Sequence, residues 1–158
     1  MATSRQKDPY RNYSYIVKCS KFGSIGFSKV SGLEAEHEKI EYREGADPTT
    51  MRKMPGMTSF SDLTFERGKT DNDSLKKWFE EVYDALEGSG DVDSSDAAFR
   101  NTITIHLRDA SGAVIRTWKA YYAWPQSYKQ GDLDAREGND VLIETLVICH
   151  EGLKELDL

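Results

Sequence analysis

Residues 26–45 read GFSKVSGLEAEHEKIEYREG, residues 47–60 DPTTMRKMPGMTSF, and residues 61–86 SDLTFERGKTDNDSLKKWFEEVYDAL. Leu33 to Glu44 is long enough for a strand and carries charge on both faces. From Phe60 to Gly68 the pattern alternates, with Leu63 and Phe65 pointing one way and Asp62, Thr64 and Glu66 the other. That is the period of a half-buried strand. Leu75, Trp78, Phe79, Val82, Tyr83 and Leu86 then fall at i, i+3, i+4, i+7, i+8 and i+11, one apolar stripe along a helix. Asp71 or Asp73 can cap its start and Gly88 can end it. Between the two strands, the spacing predicts an extended hairpin loop over residues 45–59, well beyond the roughly two to five residues a hairpin needs. It holds Met51, Arg52, Lys53, Met54, Pro55 and Met57. Apolar and basic side chains together on an exposed loop predict a docking element.

Working outward, Tyr13 to Lys21 alternates with Tyr13, Tyr15, Val17 and Cys19 on one face, a half-buried strand. Asn101 to Arg108 alternates too, with Ile103, Ile105 and Leu107 inward. Asp109 to Gly112 is a turn, and Ala113 to Trp124 returns as a strand that Pro125 should stop. In the last strand, Asp140 to His150, Leu142, Leu146 and Ile148 share one face, and Val141, Ile143, Val147 and Cys149 the other. A strand apolar on both faces wants cover on both. The second cover can be the helix or another subunit, which makes Leu142, Leu146 and Ile148 candidate interface residues. The whole predicts a mainly β, antiparallel barrel or sandwich with one α-helix, as a single domain over residues 1–158. An N-terminal arm (1–11) and an acidic surface loop (88–98) flank it.

The bulk numbers exclude several classes. With 158 residues, 30% charged and a formal charge of −6, the balance argues against a nucleic-acid module, which would normally show a basic face, and no apolar run is long enough to span a membrane. The first residues, MATSRQKDPYRNYSY, lack the apolar core of a signal peptide, so synthesis in a bacterial-type cytoplasm is expected. Cys19 and Cys149 show no metal-ligand spacing and read as reduced core thiols.

Catalytic motifs are missing from the sequence. Gly68-Lys69-Thr70 looks like the end of a phosphate loop, but Leu63 stands where the earlier glycine is required. Asp132 and Asp134 suggest a calcium loop that Arg136 and Glu137 interrupt, and Asp91, Asp93 and Asp96 fail likewise. His37, His106 and His150 lie far apart, and no serine sits in a G-x-S-x-G turn. The expectation is a protein without catalysis, metal or cofactor.

Several motifs taken together resemble one family. They are Gly26-Phe-Ser-Lys-Val-Ser-Gly-Leu33, Ile40-Glu-Tyr-Arg-Glu-Gly45, Arg52-Lys-Met-Pro-Gly56, Phe65-Glu-Arg-Gly-Lys-Thr-Asp71 and Trp78. In the C-terminal half they are Ala123-Trp-Pro125, Gly131-Asp-Leu-Asp-Ala135, Asn139-Asp-Val-Leu-Ile-Glu-Thr-Leu146 and His150-Glu-Gly-Leu153. This order resembles the inner-tube protein of contractile phage tails and related injection systems, from about Asp8 to Leu153. The acidic loop after Gly88 and the two cysteines depart from the pattern.

The resemblance implies a tail-tube fold, similar to the haemolysin-coregulated protein of type VI secretion. It implies hexameric rings stacked into a hollow tube inside a contractile sheath, with baseplate and spike proteins at one end and DNA or protein cargo in the lumen. The segment 45–59 would then bridge subunits and rings. Asp62, Thr64 and Glu66 are candidates for the lumen, because Leu63 and Phe65 must face the core, as Leu75, Trp78, Phe79 and Val82 of the helix must. Two other readings stand beside this one: a tube-initiating or adaptor ring of the same fold, and a monomeric barrel that holds a small ligand.

Overall fold

The computed structural model describes residues 14–46, 49–88, 99–131 and 142–156. The arm over 1–11, the acidic stretch 89–98, and Asp132 and Asp134 lie outside them. The elements are β1 (Ser14–Cys19), β2 (Gly23–Phe27), β3 (Lys29–Ser31), β4 (Ala35–Tyr42), β5 (Arg52–Phe60), β6 (Leu63–Gly68), α1 (Ser74–Gly88), β7 (Asn101–Arg108), β8 (Val114–Lys129), β9 (Ile143–Cys149) and β10 (Gly152–Leu156). The main sheet runs β2-β1-β7-β8-β9-β6-β3, with β10 also on β8. Its pairings are antiparallel. Only Ser28 separates the two ends of that path, β2 and β3, and its backbone N–H donates to the Glu66 carbonyl at 2.9 Å. The sheet therefore closes on itself as a flattened barrel of two leaves.

The other crossing between leaves is made by β8, the longest strand. Its first part pairs with β7 and β10, and from Trp124 onward it pairs with β9. Tyr122, at φ 54°, marks the bend. The strand does not stop at Pro125. That residue is buried opposite Ile148, at the start of a register slip between Pro125 and Ser127. Proline survives in a strand at a bulge or where an edge is unpaired, and the pairing with β7 has already ended at Ala123.

Inside the barrel Val17, Leu63, Phe65, Ile103, Ile105 and Ile148 are wholly buried, and Phe27 packs on Phe65 with ring centroids 5.2 Å apart. The helix lays Leu75, Trp78 and Val82 into this core, with Phe79 half-buried. Trp78 Nε1 donates to the Phe99 carbonyl at 2.8 Å, which satisfies its polar handle. The Asp73 carbonyl accepts the first helical bond, from Lys77, while Asn72 Oδ1 accepts from the Ser74 amide and hydroxyl. Tyr83, which the same periodicity turns inward, is 55% exposed. The stripe is thus narrower than its spacing suggests.

Two buried charges sit on the core side of the sheet. Arg67 of β6 and Glu144 of β9 are directly opposed in register and paired at 2.7 Å through Arg67 Nε and Glu144 Oε2. Arg67 Nη2 donates to the Asn72 carbonyl at 2.8 Å. The Tyr128 hydroxyl donates to Glu144 Oε1, Lys69 Nζ donates to the Tyr128 oxygen at 3.0 Å, and Lys69 also reaches Asp73 at 3.3 Å. The hydrogen bond to Tyr128 holds the Lys69 ammonium well above its usual pKa, against a downward push from burial. Burial, then the bond to Glu144, pushes the Tyr128 phenol up.

Cys19 and Cys149 are free thiols. Cys19 lies in the core as expected, whereas Cys149 is only half-buried. Its sulfur faces Asp62 Oδ1 at 3.3 Å and Gln126 Oε1 at 3.2 Å. Burial, and then the Asp62 carboxylate, push its pKa up to about 11.

Glu144→Leu strands the Arg67 guanidinium and should cost about 3–5 kcal/mol in urea unfolding, with most of it recovered in Arg67→Met/Glu144→Leu. An unchanged midpoint for the single variant would show the pair to be dispensable. Both pKa shifts at Lys69 and Tyr128 are upward, so the stability they contribute is present below the unfolded values of 10.5 and 10.0. It is lost as pH rises through the folded values. Melting temperature should hold through neutral pH and fall in the alkaline range, less steeply in Tyr128→Phe. For Cys149, a shift from 9.0 to about 11 should slow alkylation of the folded protein at pH 8 by about a hundredfold against an unfolded peptide. Equal rates would contradict the placement of Asp62 beside the thiol.

Candidate functional site

The expectation of a loop over 45–59 is corrected by the structure. Arg52–Phe60 is a strand, and it pairs with β4 rather than extending β6. Together β4 and β5 form a separate two-stranded sheet in which no residue is buried. The reason for the misreading is local. Met-Pro-Gly-Met at 54–57 carries turn residues, but the β5 strand absorbs them in a bulge, its register slipping between His37 and Lys39. A two-stranded hairpin of this kind is marginal in water unless something packs on it.

One face of the hairpin gathers apolar side chains between Glu38 and Arg52. Ile40 stands opposite Met54 and Tyr42 opposite Arg52, and Ile40, Tyr42 and Met54 are 40–47% exposed. Gly56 belongs to the same face, since a Cβ there would meet the Ile40 side chain at 3.0 Å and Glu38 at 3.2 Å. Met51 and Met57 add further exposed apolar surface. The charges are balanced within the hairpin: Lys39 pairs with Glu41 at 3.3 Å and Arg52 with Glu44 at 3.8 Å, while Lys53 lies across the ladder from Glu41.

The hairpin is anchored at its root. Gly32 has φ +91°, and a Cβ there would lie 2.0 Å from the Asp62 carbonyl oxygen, so only glycine fits. His150 presents its ring nitrogens to the Ser61 and Gly152 carbonyls at 2.9 and 3.1 Å, and its ring packs 5.7 Å from Phe60. The sequence singled out neither Gly32 nor His150 for this role.

The other predicted site residues separate into two groups. Thr64 and Glu66 point away from the core, opposite Ser31 and Lys29 of β3, and Asp62 is exposed beside Cys149. Leu146 and Ile148 are not interface residues, because both are fully buried inside the protomer. Their strand carries two apolar faces, and the outer one is Ile143 and Val147, with Ile143 46% exposed. Leu142 is half-buried. Among the described residues no group of three His, Cys, Asp or Glu side chains is placed to hold a metal ion.

The comparisons agree with this architecture. The anti-feeding prophage cap, described as the AFP tube terminating cap, superposes with a TM-score of 0.78 at 20% identity, over 99% of this chain and 97% of that one. A chain of the PVC sheath-tube complex in its extended state, an extracellular contractile injection system, gives 0.72 at 24% identity, over 99% and 100%. Hcp1 from Flavobacterium johnsoniae gives 0.50 at 14% identity, over 90% and 94%. None of the curated proteins compared with it matches the chain in sequence. The family described as T4-like virus tail tube protein gp19 matches residues 11–154. That span takes in every element from β1 to β9 and most of β10, and the chain belongs to this tail tube family.

Proposed function

We propose that this tail tube protein is the repeating subunit of a hollow inner tube, assembling as hexameric rings that stack within a contractile sheath and conduct DNA or protein cargo. The observation that carries this reading is the hairpin, a two-stranded sheet with an apolar face of Ile40, Tyr42 and Met54 and no cover of its own. A neighbouring copy supplies that cover. Met51, Met54 and Met57, with Pro55, fill the apolar part of the contact, and Arg52 and Lys53 flank it. Ile143 offers a second contact on the outer face of β9, with the half-buried Leu142 just before the strand.

A ring of such subunits has room for cargo. A domain of 158 residues has a radius of gyration of about 15 Å and a diameter of about 40 Å. Six equal discs in contact leave a central hole about as wide as one of them. Six copies at −6 each carry −36, a sign that keeps a nucleic-acid backbone from sticking. Asp62, Thr64 and Glu66 are the lumenal candidates, although Lys29 stands across from Glu66 and moderates its charge.

The similarity to a tube terminating cap favours a second reading, in which the same fold makes a terminal or baseplate-proximal ring that does not polymerise. A monomeric ligand-binding barrel is disfavoured by the filled interior, where Trp78, Phe65 and Leu63 are buried to within 1%.

Electron microscopy of the purified protein separates these readings: long tubes support the first, isolated rings the second, monomers neither. Ile40→Asp with Met54→Asp should leave the melting of the monomer within about 0.5 kcal/mol of wild type, as expected for exposed positions, and should abolish assembly. Normal tubes or rings from this variant would remove the hairpin from the mechanism.

A further inference from the structure

The outer face of the other leaf, formed by β1, β7, β8 and β10, has a charge opposite to that of the whole chain. The registers Lys18↔Thr104, Thr104↔Lys119 and Lys119↔Lys154 place three lysines in one row across four strands. At about 4.8 Å per strand the row is about 14 Å long. The adjacent row carries His106, next to Lys18, and the following one Arg108. Every second residue of these strands points to this face, and none of those positions is Asp or Glu. Among the described residues Lys18, Lys119 and Lys154 have no ion-pair partner. The carboxylates that follow Arg108 and Lys154 in the chain are occupied, Asp109 by the amides of Ser111 and Ala113 and Glu155 by Arg116 at 3.2 Å.

We propose that this lysine row docks an acidic protein surface, a run of Asp and Glu side chains on a partner other than this chain. Like charges directly opposite on a sheet destabilise it, and Lys119 faces Lys154 in just that way. An uncompensated row in a protein of net charge −6 is relieved when carboxylates arrive from outside. The surface also has relief for seating side chains. A shallow, open depression of about 490 Å³ lies between Lys18, Ser24, Thr104 and Lys119, and a more enclosed one of about 260 Å³ adjoins it at Lys18, His106 and Arg108. The His106 imidazole is held below its usual pKa by burial and then by the Lys18 charge.

Among the described surfaces, a second copy of the chain offers the weaker fit. Its exposed hairpin sets four carboxylates (Glu36, Glu38, Glu41, Glu44) against four cations (Lys39, Arg43, Arg52, Lys53) among the described residues, and on its helix Glu80 and Glu81 already pair with Lys76 and Lys21. Nucleic acid is disfavoured by the kind of cation present, since net charge repels every polyanion alike. The row itself holds lysines only, and the neighbouring Arg108 spends its Nε on the Gly112 carbonyl at 3.0 Å, so the forked phosphate grip of free arginines is missing. The lysine row does not depend on the hairpin's joining copies.

The test uses the full-length protein, a fluorescent peptide of alternating Glu and Thr, and a duplex DNA oligonucleotide as competitor. The wild type should bind the peptide in a salt-sensitive manner. The triple variant Lys18→Gln/Lys119→Gln/Lys154→Gln should bind it about tenfold more weakly, with unchanged or raised melting temperature and unchanged assembly in electron microscopy. A control, Lys76→Gln/Lys77→Gln, removes helix charge and should bind like wild type. The proposal is overturned by absence of wild-type binding, by equal binding of the triple variant, by equal weakening in the control, or by DNA that binds the row more tightly than the peptide. Loss of assembly in a still-folded triple variant would assign the row to a second copy instead. Loss of assembly in the hairpin variant with peptide binding intact would leave the lysine row standing by itself.

Discussion

A buried arginine and glutamate, facing each other across β6 and β9, set the geometry on which both surfaces of this protein depend. Arg67 and Glu144 occupy core-side positions that would otherwise be apolar. A buried pair adds little net stability compared with apolar residues of the same volume, yet breaking it is costly. That asymmetry is useful in a sheet. A one-residue slip of β6 against β9 would turn Arg67 outward and leave Glu144 without its partner. Register is therefore held by an electrostatic penalty in addition to apolar fit. The same guanidinium reaches the Asn72 carbonyl, and the Lys69 backbone N–H donates to the Leu142 carbonyl at 2.8 Å. The turn from strand to helix is thereby fastened to the pair that fixes the strand.

From that fixed leaf the β4–β5 hairpin projects without a core of its own. Its rigidity has to come from its root, where Gly32 is pressed against the Asp62 carbonyl and His150 braces Phe60 and Ser61. A projecting arm that keeps its direction can meet a partner at lower entropic cost than a loose loop. Ile40, Tyr42 and Met54 lie on one face, and its charges are largely neutralised within the arm. An arm of this kind commits its binding to shape and apolar area, with less dependence on salt.

Much of this was legible in the sequence, and what was not has identifiable physical causes. The alternation at Tyr15, Val17 and Cys19 and at Ile103, Ile105 and Leu107 reported the core face faithfully, because the opposite side is polar along β7 and, but for Ile16, along β1. For Leu142 to Cys149 both sides are apolar, so parity alone could not say which side was inside, and Leu146 and Ile148 were assigned to the wrong surface. Arg67 was readable in principle: it continues the Leu63, Phe65 series and Glu144 the Leu146, Ile148 series. Two charges in the core phases of two strands are a pairing signal. Pro125 was read as a stop because its missing N–H was weighed without knowing which edge of β8 was free. The lysine row was invisible for a different reason. Lys18, Lys119 and Lys154 are far apart in sequence, and only the strand registers bring them into line.

The closed, two-leaf construction explains how one small domain can carry two unlike surfaces. Each leaf buries its inner face in the shared core, so its outer face is free to be specialised independently. The leaf of β3, β6 and β9 continues into the hairpin, and its outer positions mix Lys29, Thr64, Glu66 and Val147 with no excess of either sign. The leaf of β1, β7, β8 and β10 gathers uncompensated lysines. Because β8 crosses between the leaves at Tyr122 and the chain crosses back at Ser28, the two faces look in different directions. A subunit that joins its copies with one face thus retains the other for a protein of different composition. In a closed ring every subunit would repeat that second face around the circumference. Contacts that are weak singly, as exposed ion pairs are, then become firm by repetition.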